Sequence, residues 1–139
     1  MTGAADIRRE TERVLFANEA FYLAFAGGDS EAMLAVWSDR DDIACIHPGW
    51  EVLTGRWHVM ESWRAVLSNP PPVRVVAPTV FVRDDSAFVT CYEEVSGNYL
   101  IATNIFVREE DGWRMLHHHA SPTRGVPPRP KMPGSARVN

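Results

Sequence analysis

At 139 residues, 45% hydrophobic and 23% charged, the chain has room for one domain around one core. A formal net charge of −4 offers no basic surface of the kind nucleic acid requires, which argues against a nucleic-acid partner. No apolar run approaches the roughly 20 residues that span a bilayer, and the N-terminus MTGAADIRRETE lacks an apolar signal core, so no membrane partner is expected.

The elements follow in chain order. Ile7, Thr11, Val14, Asn18, Phe21 and Phe25 recur at helical spacing, with Leu15 and Tyr22 beside that stripe. Asp6 suits the N-cap of this first helix and Gly27-Gly28 its stop. Asn18 is an odd residue for a core stripe; its amide either bonds the following hairpin or looks into a pocket. Asp29 or Ser30 caps a second, shorter helix through Trp37. Ile43–Ile46 is a short apolar strand, broken by His47-Pro48-Gly49, and Trp50–Leu53 pairs back against it. Thr54-Gly55 opens a third helix whose Trp57, Met60, Trp63 and Val66-Leu67 share a face, and Asn69-Pro-Pro-Pro72 ends it. A meander follows, with strands at Val73–Val82, Ala87–Val95, Tyr99–Val107 and Trp113–Ser121. Its turns are Asp84-Asp85, Ser96-Gly97-Asn98 and Glu110-Asp111-Gly112, short enough for antiparallel pairing.

The strands are apolar on both faces. Ala87, Val89 and Cys91 share one face, Phe88, Thr90 and Tyr92 the other. A sheet of that kind has to be covered twice. Helices cover one side, and a second subunit is expected on the other, giving a homodimer through the convex face.

Cys45 and Cys91 lie in apolar runs without metal or redox spacing, so they read as small buried hydrophobes in a reduced, cytoplasmic protein. After Pro122 the chain carries Arg124, Arg129, Lys131 and Arg137 and no acid. Taking these four from the fourteen basic residues leaves ten against eighteen acids in the body. Residues 1–122 are therefore expected to form the domain and 123–139 an extended or disordered Pro/Arg-rich tail.

The order of elements, together with IHPGWEVLTGR, ATNIFVREEDGW and MLHHHASP, resembles the nuclear transport factor 2-like superfamily, in its SnoaL-like or ketosteroid-isomerase-like branch. The resemblance covers about Ile7 to Pro122. It implies an α+β fold: a cone-shaped, strongly curved antiparallel sheet of about six strands, with three helices from the N-terminal half on its concave face. It also implies an apolar pocket and, usually, dimerisation through the sheet. Folds of this kind host several chemistries, so function has to come from the site.

Aligning the last two strands with kinase association domains of the superfamily turns Ala102, Asn104, Phe106, Leu116, His118 and Ala120 inward. The neighbouring strand then presents Thr90, Tyr92 and Glu94. The arginines with which those domains contact ligands correspond to Asn104 and Ala120, so carboxylate binding of that kind is not expected. His118 with Glu94 forms a candidate acid/base couple, and Tyr92 a candidate donor to a carbonyl oxygen. The aspartate base of ketosteroid isomerases has no counterpart. A plainer role is open to the same residues, with Glu94 at a solvated rim and His118 satisfying a polar neighbour. His47 and Trp50 at the hairpin, Trp63 on the third helix and Asn104 are candidate ligand contacts, set against ordinary packing.

Three adjacent histidines, His117-His118-His119, cannot all face one way. His117 and His119 share a side, but no carboxylate or cysteine at ligand spacing accompanies them, and no metal is expected. No phosphate loop or other cofactor motif is present, so no cofactor is expected. The reading is a small-molecule pocket protein with an apolar organic ligand. One version is a cofactor-independent isomerase, dehydratase or cyclase acting on a carbonyl compound. The alternative is a non-catalytic ligand-binding or dimerisation module.

Overall fold

A computed structural model describes residues 3–129. In it three helices precede or interrupt a six-stranded sheet: α1 Ala4–Gly27, α2 Ser30–Val36, β1 Ala44–Ile46, β2 Leu53–Thr54, α3 Arg56–Leu67, β3 Val73–Arg83, β4 Ser86–Val95, β5 Asn98–Glu109 and β6 Gly112–Pro122. The strands lie in the order β2-β1-β6-β5-β4-β3. The sheet is open and strongly curved, the α+β architecture expected, with one difference: it is mixed, because β1 runs parallel to β6. Residues 130–139, most of the expected tail, lie outside the described residues.

α1 begins earlier than Asp6. Gly3 is its N-cap and gives no side-chain bond, while Asp6 sits in the first turn, where its charge meets the positive end of the helix. Val14, Asn18, Phe21, Tyr22, Ala24 and Phe25 are buried, whereas Ile7 and Leu15 are exposed. Asp29 caps α2, its carboxylate accepting from the Ala32 N–H at 3.0 Å. The guanidinium of Arg56 then ties the end of α2 to the start of α3, donating to the carbonyls of Leu34 and Ser38 at 3.3 and 2.5 Å. On α3 the buried residues are Val59, Met60, Ser62, Trp63 and Leu67; Trp57, expected on that face, is exposed.

Register is set at the turns. Val95 pairs with Asn98, so the β4–β5 loop is Ser96-Gly97 alone, with both residues at positive φ, 52° and 84°. That is the conformation two-residue hairpins require. The three-residue turn expected there is too long by one. As a result Ala87, Val89, Cys91 and Glu93 face the helices, opposite Phe106, Asn104, Ala102 and Leu100. A second irregularity, between Ile105 and Phe106, lets Met115 and His118 both be buried on β6. Leu116, expected to face in, is only half-buried. On β3 a bulge between Val76 and Thr79 contains Ala77 at φ 54° and Pro78, features suited to an edge strand.

The core forms where small sheet residues meet large helical ones. Phe21, Tyr22 and Phe25 of α1 and Trp63 of α3 occupy the volume above Ala87, Val89, Cys91 and Ala102. The rings meet edge to face, Phe21 and Phe25 lying 5.3 and 4.9 Å from Trp63 between centroids.

Gly28 closes α1 in the left-handed conformation at φ 62°. A Cβ there would lie 3.1 Å from the Leu67 carbonyl and 3.3 Å from the Pro70 ring. Gly28→Ala is therefore expected to destabilise the fold by about 1–3 kcal/mol, read as a lower urea midpoint. Gly27→Ala, one residue earlier in open space, should leave the midpoint unchanged or slightly higher.

Candidate functional site

A line of polar side chains crosses the buried side of the sheet. Asn104, completely enclosed at 0% exposure, is its hub. The Asn104 Nδ2 group donates to Asn18 Oδ1 at 2.8 Å and to the Tyr22 hydroxyl oxygen at 3.2 Å. The Tyr22 hydroxyl in turn donates to Glu93 Oε2 at 2.6 Å. His118 Nδ1 lies 2.6 Å from Asn104 Oδ1, an atom that can only accept, so the ring proton sits on Nδ1. The other ring nitrogen, Nε2, faces Glu93 Oε2 at 3.8 Å with its lone pair. The amide, phenol and imidazole donors of this line each have an acceptor, as burial demands.

Burial pushes the Glu93 carboxyl up to about 7, opposed in part by the Tyr22 hydrogen bond. It pushes His118 well below the normal imidazole value, with the other histidine charges adding to the effect. Tyr22 is driven well above the phenol range by burial and by Glu93. Below about pH 7 the pair is thus a neutral acid beside a neutral imidazole, 3.8 Å apart, rather than a salt bridge.

A second polar group lies nearer β1. His47 Nε2 sits 2.9 Å from Ser62 Oγ, which itself donates to the Val59 carbonyl, so His47 donates. Burial lowers the His47 pKa to about 4. Its ring is 4.8 Å from Trp63 and 4.7 Å from Trp50. Trp63, only 1% exposed, stands between His47 and His118. Its indole N–H approaches the Cys45 thiol without bonding it at normal geometry and has no other partner among the described residues.

Of the residues singled out from the sequence, His47, Trp63, Asn104 and His118 gather in this interior, and Trp50 covers its edge. Tyr92 and Glu94 do not join them. Both lie on the far side of β4, where Glu94 binds Arg74 and Tyr92 packs against Tyr99 at 6.2 Å. Thr90 goes with them. The one-residue difference in the β4–β5 turn exchanges the faces, so Glu93 stands where Glu94 was expected and Tyr22 of α1 supplies the phenol expected of Tyr92. Asn18 bonds into the chain rather than to a hairpin. Tyr22 carried a signal, lying beside the buried stripe of α1; Glu93 carried none beyond the exact turn length.

The interior is closed. Glu93, His118 and Asn104 are no more than 2% exposed. A cavity of about 1060 Å³ lies elsewhere, between α1, α2 and the β5–β6 turn. Phe16, Ala20, Ala35, Val36 and Trp113 help to line it, and none of the candidate residues does. Among the described residues no three His, Cys, Asp or Glu side chains gather as metal ligands, and no helix is long and apolar enough to cross a membrane.

The chain belongs to the SnoaL-like domain family, whose model matches residues 14–125. A provisional dehydratase of the NTF2-like family from Streptomyces avermitilis is 34% identical, with a TM-score of 0.77, covering 85% of this chain and 99% of that one. A provisional calcium/calmodulin-dependent protein kinase type II association domain from Thiobacillus denitrificans is 35% identical, with a TM-score of 0.69, covering 78% of this chain and 93% of the other. The F-box protein SKIP8 of Arabidopsis thaliana is 30% identical over 115 residues, 80% of this chain. The chain spans only 50% of that curated relative.

Glu93 holds its proton in the fold up to about pH 7 and releases it near 4.5 when unfolded. Its contribution to stability is complete below pH 4.5 and is lost as pH rises through 7, a change of about 3 kcal/mol if fully expressed. His47 works oppositely: its contribution is complete above pH 6.5 and is lost as pH falls toward 4. Glu93→Gln removes only the first. Urea unfolding should show the variant gaining on the parent between about pH 4.5 and 7 and levelling off above that, whereas a pH-independent difference would refute the buried protonated carboxyl.

Proposed function

We propose that this domain carries out general acid–base chemistry on a small apolar carbonyl compound, with Glu93 and His118 as the proton-exchanging pair and Tyr22 as their hydrogen-bonding partner. The observation that carries the reading is Glu93, a carboxyl poised near neutrality beside an unprotonated imidazole nitrogen in an enclosed interior. Enclosure raises the carboxyl toward the pH at which a proton can move in either direction. Asn104 fixes the His118 tautomer that turns Nε2 toward Glu93. A proton taken from a carbon beside a carbonyl by one group and returned at another position by the second amounts to isomerisation. If a hydroxyl leaves instead, the same pair performs dehydration. The provisional dehydratase among the similar structures fits either outcome.

On this reading substrate gains access by displacing Trp63, which packs from α3 between His47 and His118. That helix is bounded by Gly55 at φ 86° and by the Pro70–Pro72 run, and its unpaired indole N–H is a ready donor for a substrate oxygen. A thermal-shift screen with cyclic ketones and enones is the test. A compound that binds should raise the melting temperature and be turned over, with both Glu93→Gln and His118→Ala slowing turnover by about 10²-fold or more. A hit processed equally well by Glu93→Gln would overturn the assignment.

A second reading, self-association, rests on the convex face. Three rows of side chains cross it: Phe81, Phe88 and Ile105; Thr79, Thr90 and Thr103; Val76, Tyr92 and Ile101. Phe81 is 41% exposed and stacks on Phe88 at 4.7 Å. Among the described residues no helix covers this face, and a sheet surface with two apolar rows flanking a threonine row is one that a second copy would bury. The likeness to an association domain supports it. The parent chain should sediment as a dimer and Phe81→Glu as a monomer; a monomeric parent at micromolar concentration would end this reading.

A further inference from the structure

Two imidazoles on the outer side of β6 are left unused by the buried network. His117 and His119 stand two apart on the strand and share the convex face, with ring centroids 6.3 Å apart. They lie at the margin of the apolar rows. His117 is flanked by Ile105 of β5 and Ala44 of β1, and His119 by Thr103 and Ile46. His117 is half-buried and His119 exposed.

The neighbouring strand fixes one of the rings. His117 Nδ1 lies 3.0 Å from the Ala44 carbonyl oxygen, which can only accept. The ring proton therefore sits on Nδ1, and the Nε2 lone pair is free. A backbone carbonyl holding the far nitrogen is the usual outer support of a metal-ligating histidine, because it fixes both tautomer and ring orientation. A tetrahedral zinc ion about 2.0–2.1 Å from each ring nitrogen holds the two ring centres about 5.2 Å apart. The observed 6.3 Å is wider, so binding requires the exposed His119 ring to turn toward His117.

We propose that His117 and His119 form a two-imidazole site on the convex side of β6 for a borderline divalent cation of the zinc class. Imidazole nitrogen suits such ions better than it suits calcium or magnesium. With no third protein ligand among the described residues, water completes the shell, or a second copy's pair does so. The excess of acids over bases in the body of the chain favours a cation at its surface. The site shares no residue with the acid–base pair, so it stands or falls separately.

The chain has five histidines, of which His47 and His118 are buried, so His58 is the remaining exposed one and serves as the control. Zinc chloride is titrated calorimetrically into the tag-free chain, with melting temperature followed in parallel. One zinc bound per chain, or one per two chains if copies share the shell, with a raised melting temperature, is the expected result. Binding should be lost in His119→Ala and His117→Ala and kept in His58→Ala. His119→Gln, which keeps a polar side chain at an exposed position, should also lose it while melting like the parent without metal. No zinc binding by the parent, or binding that survives in both His119 variants, would overturn the site.

Discussion

The β4–β5 hairpin constrains every other feature of the interior. Ser96 and Gly97, both at positive φ, reverse the chain in two residues and so fix Val95 against Asn98. From that pairing the faces of both long strands follow without further choice, since side chains alternate. The small residues Ala87, Val89, Cys91 and Ala102 come to lie beneath the helices, which leaves space for Phe21, Tyr22, Phe25 and Trp63 above them. A register one residue away would set Phe88 and Tyr92 against those same rings, and close-packed interiors do not absorb that much added volume. Turn geometry and core volume therefore select the same register.

That register also brings a carboxyl group into the core. Glu93 is tolerated there because Tyr22 donates to it and because it keeps a proton where a solvated glutamate would not. The rest of the chain is built from neutral groups used to capacity: the Asn104 amide spends both hydrogens on Asn18 and Tyr22, and its oxygen accepts from His118. A network satisfied in this way is rigid, and it holds His118 Nε2 toward Glu93 in one tautomer. The polar interior and the acid–imidazole pair are thus one arrangement viewed from two ends.

The two sides of the sheet separate in character. The concave side is enclosed and carries titratable groups away from water, while the convex side presents aromatic and threonine rows with imidazoles at its margin. Family membership accounts for the curved sheet and the placing of the helices. The chemistry belongs to this chain's own side chains, because folds of this type support many activities.

Periodicity and turn residues were enough to read the three helices, the four long strands and their antiparallel order, because amphipathic spacing and Gly, Pro and Asp punctuation are local properties. His47 and Trp63 could be singled out from the hairpin break and the helix stripe, and Asn104 and His118 through the resemblance of the last two strands to the superfamily. Which of Glu93 and Glu94 faces inward was not legible, since β4 is apolar on both faces and the answer turns on whether the loop after it spans two residues or three. Nor could the partnership of Tyr22 with Glu93 be read, across 71 residues of chain. Only the packing of α1 over the sheet brings them together, and the packing of Trp63 on Phe21 and Phe25 is likewise a product of helices meeting, which no local pattern encodes.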